Sequence, residues 1–251
     1  MDICEKGEFF IETDDGLSFD YAKIILRDDA GDYFYAKTTQ RIFRSPTIDI
    51  NELDISPIPG DRIYPLADPN LTLAPDPLPS TSYFKRPRLL YYENAADIPG
   101  YDCHILTEVK ACEILSKHPH PNIAQYLGCI VKAGRIRGLG FAKYPTALSQ
   151  LLEEKTRFDK SRCLLGVEAG VRHMHELGLV HNDLNPSNIM MDGDRPVIID
   201  FDSCKQEGDE LGSKAGTYGW TPDGESRSRR ENDLYSLSKL RSALLEECLE
   251  C

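Results

Sequence analysis

Two short stretches hold the residues best suited to chemistry: His181-Asn182-Asp183-Leu184-Asn185-Pro186-Ser187-Asn188 and Ile198-Ile199-Asp200-Phe201-Asp202. Their polar groups stand at the ends of short apolar runs, so strands would fix them and loops would present them. Phosphoryl transfer asks little covalent chemistry of a protein. It needs a carboxylate near the attacking hydroxyl, and oxygen ligands that hold magnesium on the phosphates. Asp183 suits the first task, and Asn188 with Asp200 the second. A single Asp or Asn would read as a turn cap between buried strands. The ordered set favours a nucleotide-and-metal phosphotransfer site.

Such a site needs a frame, and the flanking pattern supplies one. Ile189 to Met191 and Val197 to Ile199 read as strands joined through the Asp192-Gly193 turn. A helix from about Asp159 or Ser161 to Gly178 places Leu164, Val167, Val171 and Met174 on one stripe. Another, starting near Thr107, groups Ile105, Val109, Cys112 and Leu115 until Pro119 and Pro121 end it. Residues 82–86, Ile123 to Val131 and Gly138 to Ala142 read as strands. A last helix from about Asn232 is expected to bury Leu234, Leu237, Leu240 and Leu244.

Upstream, Phe9 to Ile11, Ala22 to Leu26 and Tyr33 to Ala36 read as short strands, the last two flanking a hairpin-like Asp28-Asp29-Ala30-Gly31. Prolines then crowd between Pro57 and Pro87, which reads as an extended connector without regular hydrogen-bonded elements. The expected organisation is an N-terminal extension over 1–80 and a second domain over 81–251.

Composition narrows the function classes. The 251 residues suffice for one large domain or two small ones, and 41% hydrophobic with 28% charged residues is ordinary for a soluble protein. No run approaches the roughly 20 apolar residues of a membrane span. Met1-Asp2-Ile3-Cys4-Glu5 lacks the basic end of a signal peptide, so a cytoplasmic or nuclear location and no membrane partner are expected. The net charge of −12 argues against nucleic acid as a partner. The eight cysteines are scattered; Cys248 and Cys251 have half a zinc site's spacing with no second pair, so inert thiols are expected.

With these residues in view, the chain resembles the eukaryotic protein-kinase-like superfamily. His181-Asn182-Asp183…Asn188 is similar to the catalytic loop His-Arg-Asp-x-x-x-x-Asn, and Asp200-Phe201-Asp202 to Asp-Phe-Gly. Glu108 matches the helix glutamate that pairs with the phosphate-binding lysine, for which Lys85 is the candidate. Gly216-Thr217-Tyr218-Gly219-Trp220 resembles the Gly-Thr-x-x-Tyr/Trp stretch of the activation segment. Asp233 matches the buried aspartate that supports the catalytic loop. Tyr126, Cys112, Phe201 and His181 fall where kinases stack a row of side chains. The whole looks like the short kinase-like proteins common in filamentous fungi, shortened after the helix carrying Asp233.

The resemblance implies an α+β, two-lobed protein-kinase-like fold. Its small β-rich N-lobe would cover about 81–142 and its shortened helical C-lobe about 143–251, preceded by the β-rich and Pro-rich extension. It implies ATP and Mg²⁺, with Asp183 as catalytic base. Asn188 and Asp200 would hold metal, and Lys85 steadied by Glu108 would hold the phosphates. His181, Phe201, Thr217 and Asp233 would act in support. Thr217 suggests Ser/Thr specificity toward a protein substrate.

Five departures bear on activity. No Gly-x-Gly-x-x-Gly precedes Lys85, and Asn182 replaces the arginine that reads activation-loop phosphorylation. Asp202 replaces a glycine, and Tyr83 stands where a small alanine leaves room for adenine. Asn185 replaces a lysine that neutralises developing charge, a kind of contact whose loss costs on the order of 10²–10³ in rate. The alternatives are therefore a pseudokinase scaffold with weak or no nucleotide binding, or a small-molecule phosphotransferase of the choline-kinase or aminoglycoside type, whose loops share His-x-Asp-x-x-x-x-Asn.

Overall fold

The computed structural model describes residues 1–13, 16–43, 48–92, 102–212 and 216–245, and the side chains from 105 onward in the helix that begins at 102. Ser213, Cys248, Cys251 and the Asp14-Asp15 turn lie outside the described residues. Two compact units are formed, one by Met1–Leu66 with Arg86–Cys103 and the other by Ala67–Lys85 with His104–Cys251.

The first unit is a four-stranded antiparallel meander of β1 (Asp2–Thr13), β2 (Gly16–Arg27), β3 (Tyr33–Thr38) and β4 (Ile55–Ile58) in that order. Both faces of β2 are covered over Ala22 to Leu26. Ala22, Ile24 and Leu26 pack with Ile42 on one side, while Ile25 packs with Tyr33, Ile58, Ile63, Tyr64, Leu89 and Tyr92 on the other. That explains the unbroken apolar run Ile24-Ile25-Leu26, which alternation alone would not give.

The proline-rich stretch departs from expectation here. It holds regular structure: β4, and the short helix α1 (Gly60–Ile63). Pro57 sits on β4, an edge strand, and Pro59 sits at the N-cap of α1. Both are places where the missing N–H costs little.

The second unit begins with the sheet β5-β7-β6, made of β5 (Ser82–Lys85), β6 (Tyr126–Lys132) and β7 (Arg135–Ala142), all antiparallel. Cross-strand register places Lys85, Leu139 and Cys129 on one face. That face shares a core with Val109, Cys112 and Leu115 of helix α2 (Asp102–Lys117). The helix starts earlier than the position near Thr107 that the periodicity suggests, because polar residues make up its first turn.

The opposite face carries Gly128 and Gly140, paired across the strands. Here the proline-rich chain lies directly on the sheet. A Cβ on Gly128 would stand 2.4 Å from the backbone of Leu73 and Ala74, and one on Gly140 would stand 3.2 Å from Leu78. Residues 72–78 are therefore a packed layer rather than a free connector.

The rest of the unit builds the site's platform. The short strand β8 (Thr146–Ala147) leads into α3 (Leu148–Glu153) and then α4 (Lys160–Glu176), whose N-cap Asp159 accepts from Arg162 N at 2.9 Å. Cys163, Leu164, Val167, Val171 and Met174 form its buried stripe. Next come β9 (Leu179–Val180), the hairpin β10 (Ile189–Asp192) and β11 (Arg195–Ile198), and β12 (Lys205–Gln206). Helix α5 (Arg230–Leu245) follows. Its buried face is Asn232, Asp233, Ser236, Leu240 and Leu244; Leu234 is 54% exposed and Leu237 only partly buried. The leucine-only stripe read from the sequence is corrected by these polar residues, which find partners across the core.

Candidate active site

Three segments far apart in the chain meet at Lys85. Its Nζ donates to Glu108 Oε1 at 2.6 Å and to Asp200 Oδ1 at 2.7 Å, linking strand β5, helix α2 and the turn after β11. Glu108 Oε1 also accepts the backbone N–H of Phe201 at 3.1 Å, so the helix is tied to the turn directly as well as through the lysine. Burial opposes the charge on Lys85, but Glu108 and Asp200, with Asp202 behind them, outweigh it and hold the ammonium above its ordinary pKa. The cation is thus retained in a buried setting. Asp200 has φ of +64°, a left-handed conformation that costs energy outside glycine and is kept only where the surroundings enforce it.

The second cluster surrounds Asp183. Its Oδ1 accepts from Thr217 N at 2.9 Å, Thr217 Oγ1 at 2.7 Å and Asn185 Nδ2 at 3.2 Å. Asn188 Nδ2 donates to the Asp183 carbonyl at 2.9 Å and to Oδ2 at 3.2 Å. The Asn185 amide also reaches Thr217 Oγ1 at 3.2 Å. Asn188 is held in turn by Ile199 N, which donates to its carbonyl at 3.0 Å.

Below both clusters, His181 Nε2 donates to Ile199 O at 3.0 Å, and its ring lies edge-on to fully buried Phe201 with centroids 5.8 Å apart. Asp233 is fully buried and accepts the backbone N–H groups of His181 and Asn182 at 2.9 Å each. Tyr126 and Cys112 lie in the same core as Phe201, and the Tyr126 hydroxyl meets Cys129 Sγ at 3.1 Å.

The structure thus brings Lys85, Glu108 and Asp200 into one cluster and Asp183, Asn188 and Thr217 into another, with His181, Phe201 and Asp233 beneath them. Tyr83 lies two residues before Lys85 on the same strand face and is 55% exposed.

The structural role of Asn182 escapes the sequence reading, which marks it only as replacing an arginine. Asn182 is buried with φ of +63°. Its Nδ2 donates to Val180 O at 3.1 Å, Ser203 O at 3.1 Å and Ser228 Oγ at 3.0 Å, and its Oδ1 accepts from Asn232 Nδ2 at 3.0 Å. Where a reader of phosphate would carry a charge, this chain has a neutral amide joining four segments. The signal available was the paired Asn-Asp dipeptides, 182–183 and 232–233.

Asp200 and Asn188 offer oxygens of the class magnesium takes, a carboxylate and an amide oxygen, while Asn188 Nδ2 is directed at Asp183. One or two carboxylates completed by phosphates and waters are the usual arrangement for that ion, and these residues fit it.

The chain is similar to several protein kinases. A serine/threonine-protein kinase of Caenorhabditis elegans is 35% identical over 123 residues, 45% of this chain and 12% of that protein. A serine/threonine-protein kinase/endoribonuclease of Hypocrea jecorina is 29% identical over 122 residues, 40% of this chain and 10% of that protein. A cysteine-rich receptor-like protein kinase of Arabidopsis thaliana is 30% identical over 142 residues, 49% of this chain and 40% of that one. The chain therefore spans well under half the length of these relatives. Among the described residues no helix is long and apolar enough to cross a membrane. The protein kinase domain family matches residues 93–247, a span that includes Glu108, Asp183, Asn188, Asp200, Thr217 and Asp233, and the chain belongs to that family.

Proposed function

We propose that this chain transfers the γ-phosphate of magnesium-bound ATP to a serine or threonine hydroxyl of a protein. The observation that carries this reading is the Lys85 ammonium held between Glu108 and Asp200 at 2.6 and 2.7 Å, a cation kept charged and fixed beside a carboxylate of the metal-binding class. Lys85 would bind phosphate oxygens, with Glu108 limiting its freedom. Asp200 and Asn188 would hold magnesium, which when bound neutralises charge on the phosphates. Asp183 would orient the substrate hydroxyl and accept its proton as the oxygen attacks phosphorus and the bond to the β-phosphate oxygen breaks, releasing ADP. Thr217, hydrogen-bonded to Asp183 through both N–H and hydroxyl, supports assignment to the Ser/Thr class.

A second reading, a pseudokinase scaffold with weak or no nucleotide binding, is favoured by one specific feature. Oδ1 of Asp183 already accepts three hydrogen bonds, one from the neutral Asn185 amide.

Calorimetric titration with ATP, with and without magnesium, is the first test, followed by transfer of labelled phosphate to protein. Magnesium-dependent binding and transfer that disappears in Asp183→Ala are expected. Folded protein that binds no ATP at millimolar concentration would sink the kinase reading. Binding without transfer would favour the scaffold, and transfer to choline or an aminoglycoside alone would favour the small-molecule alternative.

A further inference from the structure

The proline-rich layer makes one contact that its covering role does not require. Thr72 is exposed, so water is available to its polar groups. Even so, it presents both its backbone N–H and its hydroxyl to a single side chain on α2. Thr72 N donates to Glu113 Oε1 at 2.9 Å, and Thr72 Oγ1 donates to Glu113 Oε2 at 3.0 Å. The residue is anchored on its other side too. Its carbonyl accepts from Cys129 N at 2.7 Å, and Ala74 N donates to Cys129 O at 2.9 Å.

Thr72 therefore bridges strand β6 to helix α2. The chain that follows carries Pro75, Pro77 and Pro79, which restrict its backbone and lower the entropy lost in holding it in place. Gly128, where a Cβ would stand 2.4 Å from the backbone of Leu73 and Ala74, lets this strut lie against the sheet.

Helix α2 carries Glu108 as well as Glu113, so whatever fixes the helix against the sheet also fixes Glu108 against Lys85 of β5. We infer that Thr72 and Glu113 form a clasp that positions α2 and thereby sets the Lys85–Glu108 pair. Thr72 is a positioning residue and touches no reacting group. The effect on nucleotide binding rests on the function proposed above; the effect on Lys85 does not.

The test places a charge in the clasp and then reverses it. Thr72→Glu sets two carboxylates against each other, Thr72→Glu with Glu113→Arg restores an attractive pair, and Thr72→Ser keeps the hydroxyl. The first readout needs no nucleotide: the rate at which an amine-acetylating reagent modifies Lys85, followed by mass spectrometry, with hydrogen exchange of the α2 amides beside it. Thr72→Glu is expected to accelerate Lys85 acetylation by about tenfold or more, the effect of losing hydrogen bonds to a charged group. Helix exchange should rise with it. The double variant should return both toward wild type, and Thr72→Ser should leave both unchanged. Magnesium–ATP affinity should follow the same order.

If Thr72→Glu melts like the wild type yet leaves Lys85 acetylation unchanged, the clasp does not set the pair. A double variant as reactive as the single one overturns the proposal equally. If no variant binds ATP, the wild type included, the proposed function fails while Lys85 reactivity still decides the clasp.

Discussion

Asp233 holds the backbone of Asn182 from below: its Oδ1 accepts the Asn182 N–H at 2.9 Å while Asn182 sits at φ +63°. Its other oxygen accepts the His181 N–H at 2.9 Å and meets His175 Nε2 at 2.8 Å. A left-handed backbone conformation in a non-glycine residue is costly unless enforced, and asparagine is among the residues that tolerate it best. The buried carboxylate and the asparagine side-chain network together keep the loop in the shape that presents Asp183.

Asp233→Asn should therefore be disproportionately harmful for so small a change. One carboxylate oxygen becomes an N–H-bearing nitrogen facing donors, leaving buried N–H groups unpaired at about 1–3 kcal/mol each. A loss of about 2–4 kcal/mol in unfolding free energy is expected. Urea denaturation checks it, and a loss within experimental error would mean that the loop does not depend on this carboxylate.

Asn185→Ala isolates the amide that joins Asp183 to Thr217 at 3.2 Å on each side. Stability should fall by about 1–2 kcal/mol, because Asn185 is buried and its Oδ1 also caps the turn over 186–188 by accepting from Ser187 N at 2.9 Å, while Asn188 and Thr217 still hold Asp183. Phosphate transfer should fall by about 10- to 100-fold, the rate equivalent of one hydrogen bond to a charged group. Magnesium–ATP affinity should be unchanged, since Asn185 contacts neither Lys85 nor Asp200 among the described residues. A parallel loss of affinity and rate would place Asn185 at the nucleotide instead.

What the sequence made legible was local. The β10–β11 hairpin follows from Asp192-Gly193 between two apolar runs, and α4 from Asp159 and a stripe at helical spacing. Asp183, Asn188 and Asp200 stood out by their order and spacing, whereas Lys85, Glu108 and Thr217 were named only through the resemblance to protein kinases. Contacts between polar residues distant in sequence were not legible. The buried face of α5 mixes Asn232, Asp233 and Ser236 with two leucines, so hydrophobic spacing alone chose Leu234 wrongly, while Leu237 packs partly buried against the core. Asn232 Nδ2, the Asp233 carboxylate and Ser236 Oγ pair with Asn182, His181 and the Trp220 carbonyl, partners that no local pattern names. The proline-rich layer was hidden for a related reason: what holds it is a pair of glycines and a glutamate on other elements.

Gly128→Ala tests that layer from the sheet side. The substitution combines an unfavourable φ of +127° with a Cβ placed 2.4 Å from backbone atoms of Leu73 and Ala74, which cannot move aside as a side-chain end could. A destabilisation of about 2–4 kcal/mol is expected from strain and overpacking together. Thermal or urea unfolding measures it. A near-neutral result would mean that residues 72–78 leave the sheet freely.

The buried thiols predict how stability varies at alkaline pH. Cys163 is fully buried, and burial, with a smaller push from Asp159, raises its pKa from 9.0 to about 12. Cys112 and Cys204 are raised well above the same value, again chiefly by burial. The folded state holds these protons more tightly than the unfolded chain. Stability is therefore intact below about pH 9 and falls as pH rises toward 12, where the unfolded chain alone gains by ionising. Each such thiol contributes a slope of about 1.4 kcal/mol per pH unit within that window. Urea denaturation under reducing conditions, at steps from about pH 8 to pH 11, should show this decline. Cys163→Ala should start less stable, from the cavity it leaves, yet decline less steeply by one thiol's share. Parallel pH profiles for the two proteins would show that Cys163 ionises as readily in the folded state as in the unfolded chain.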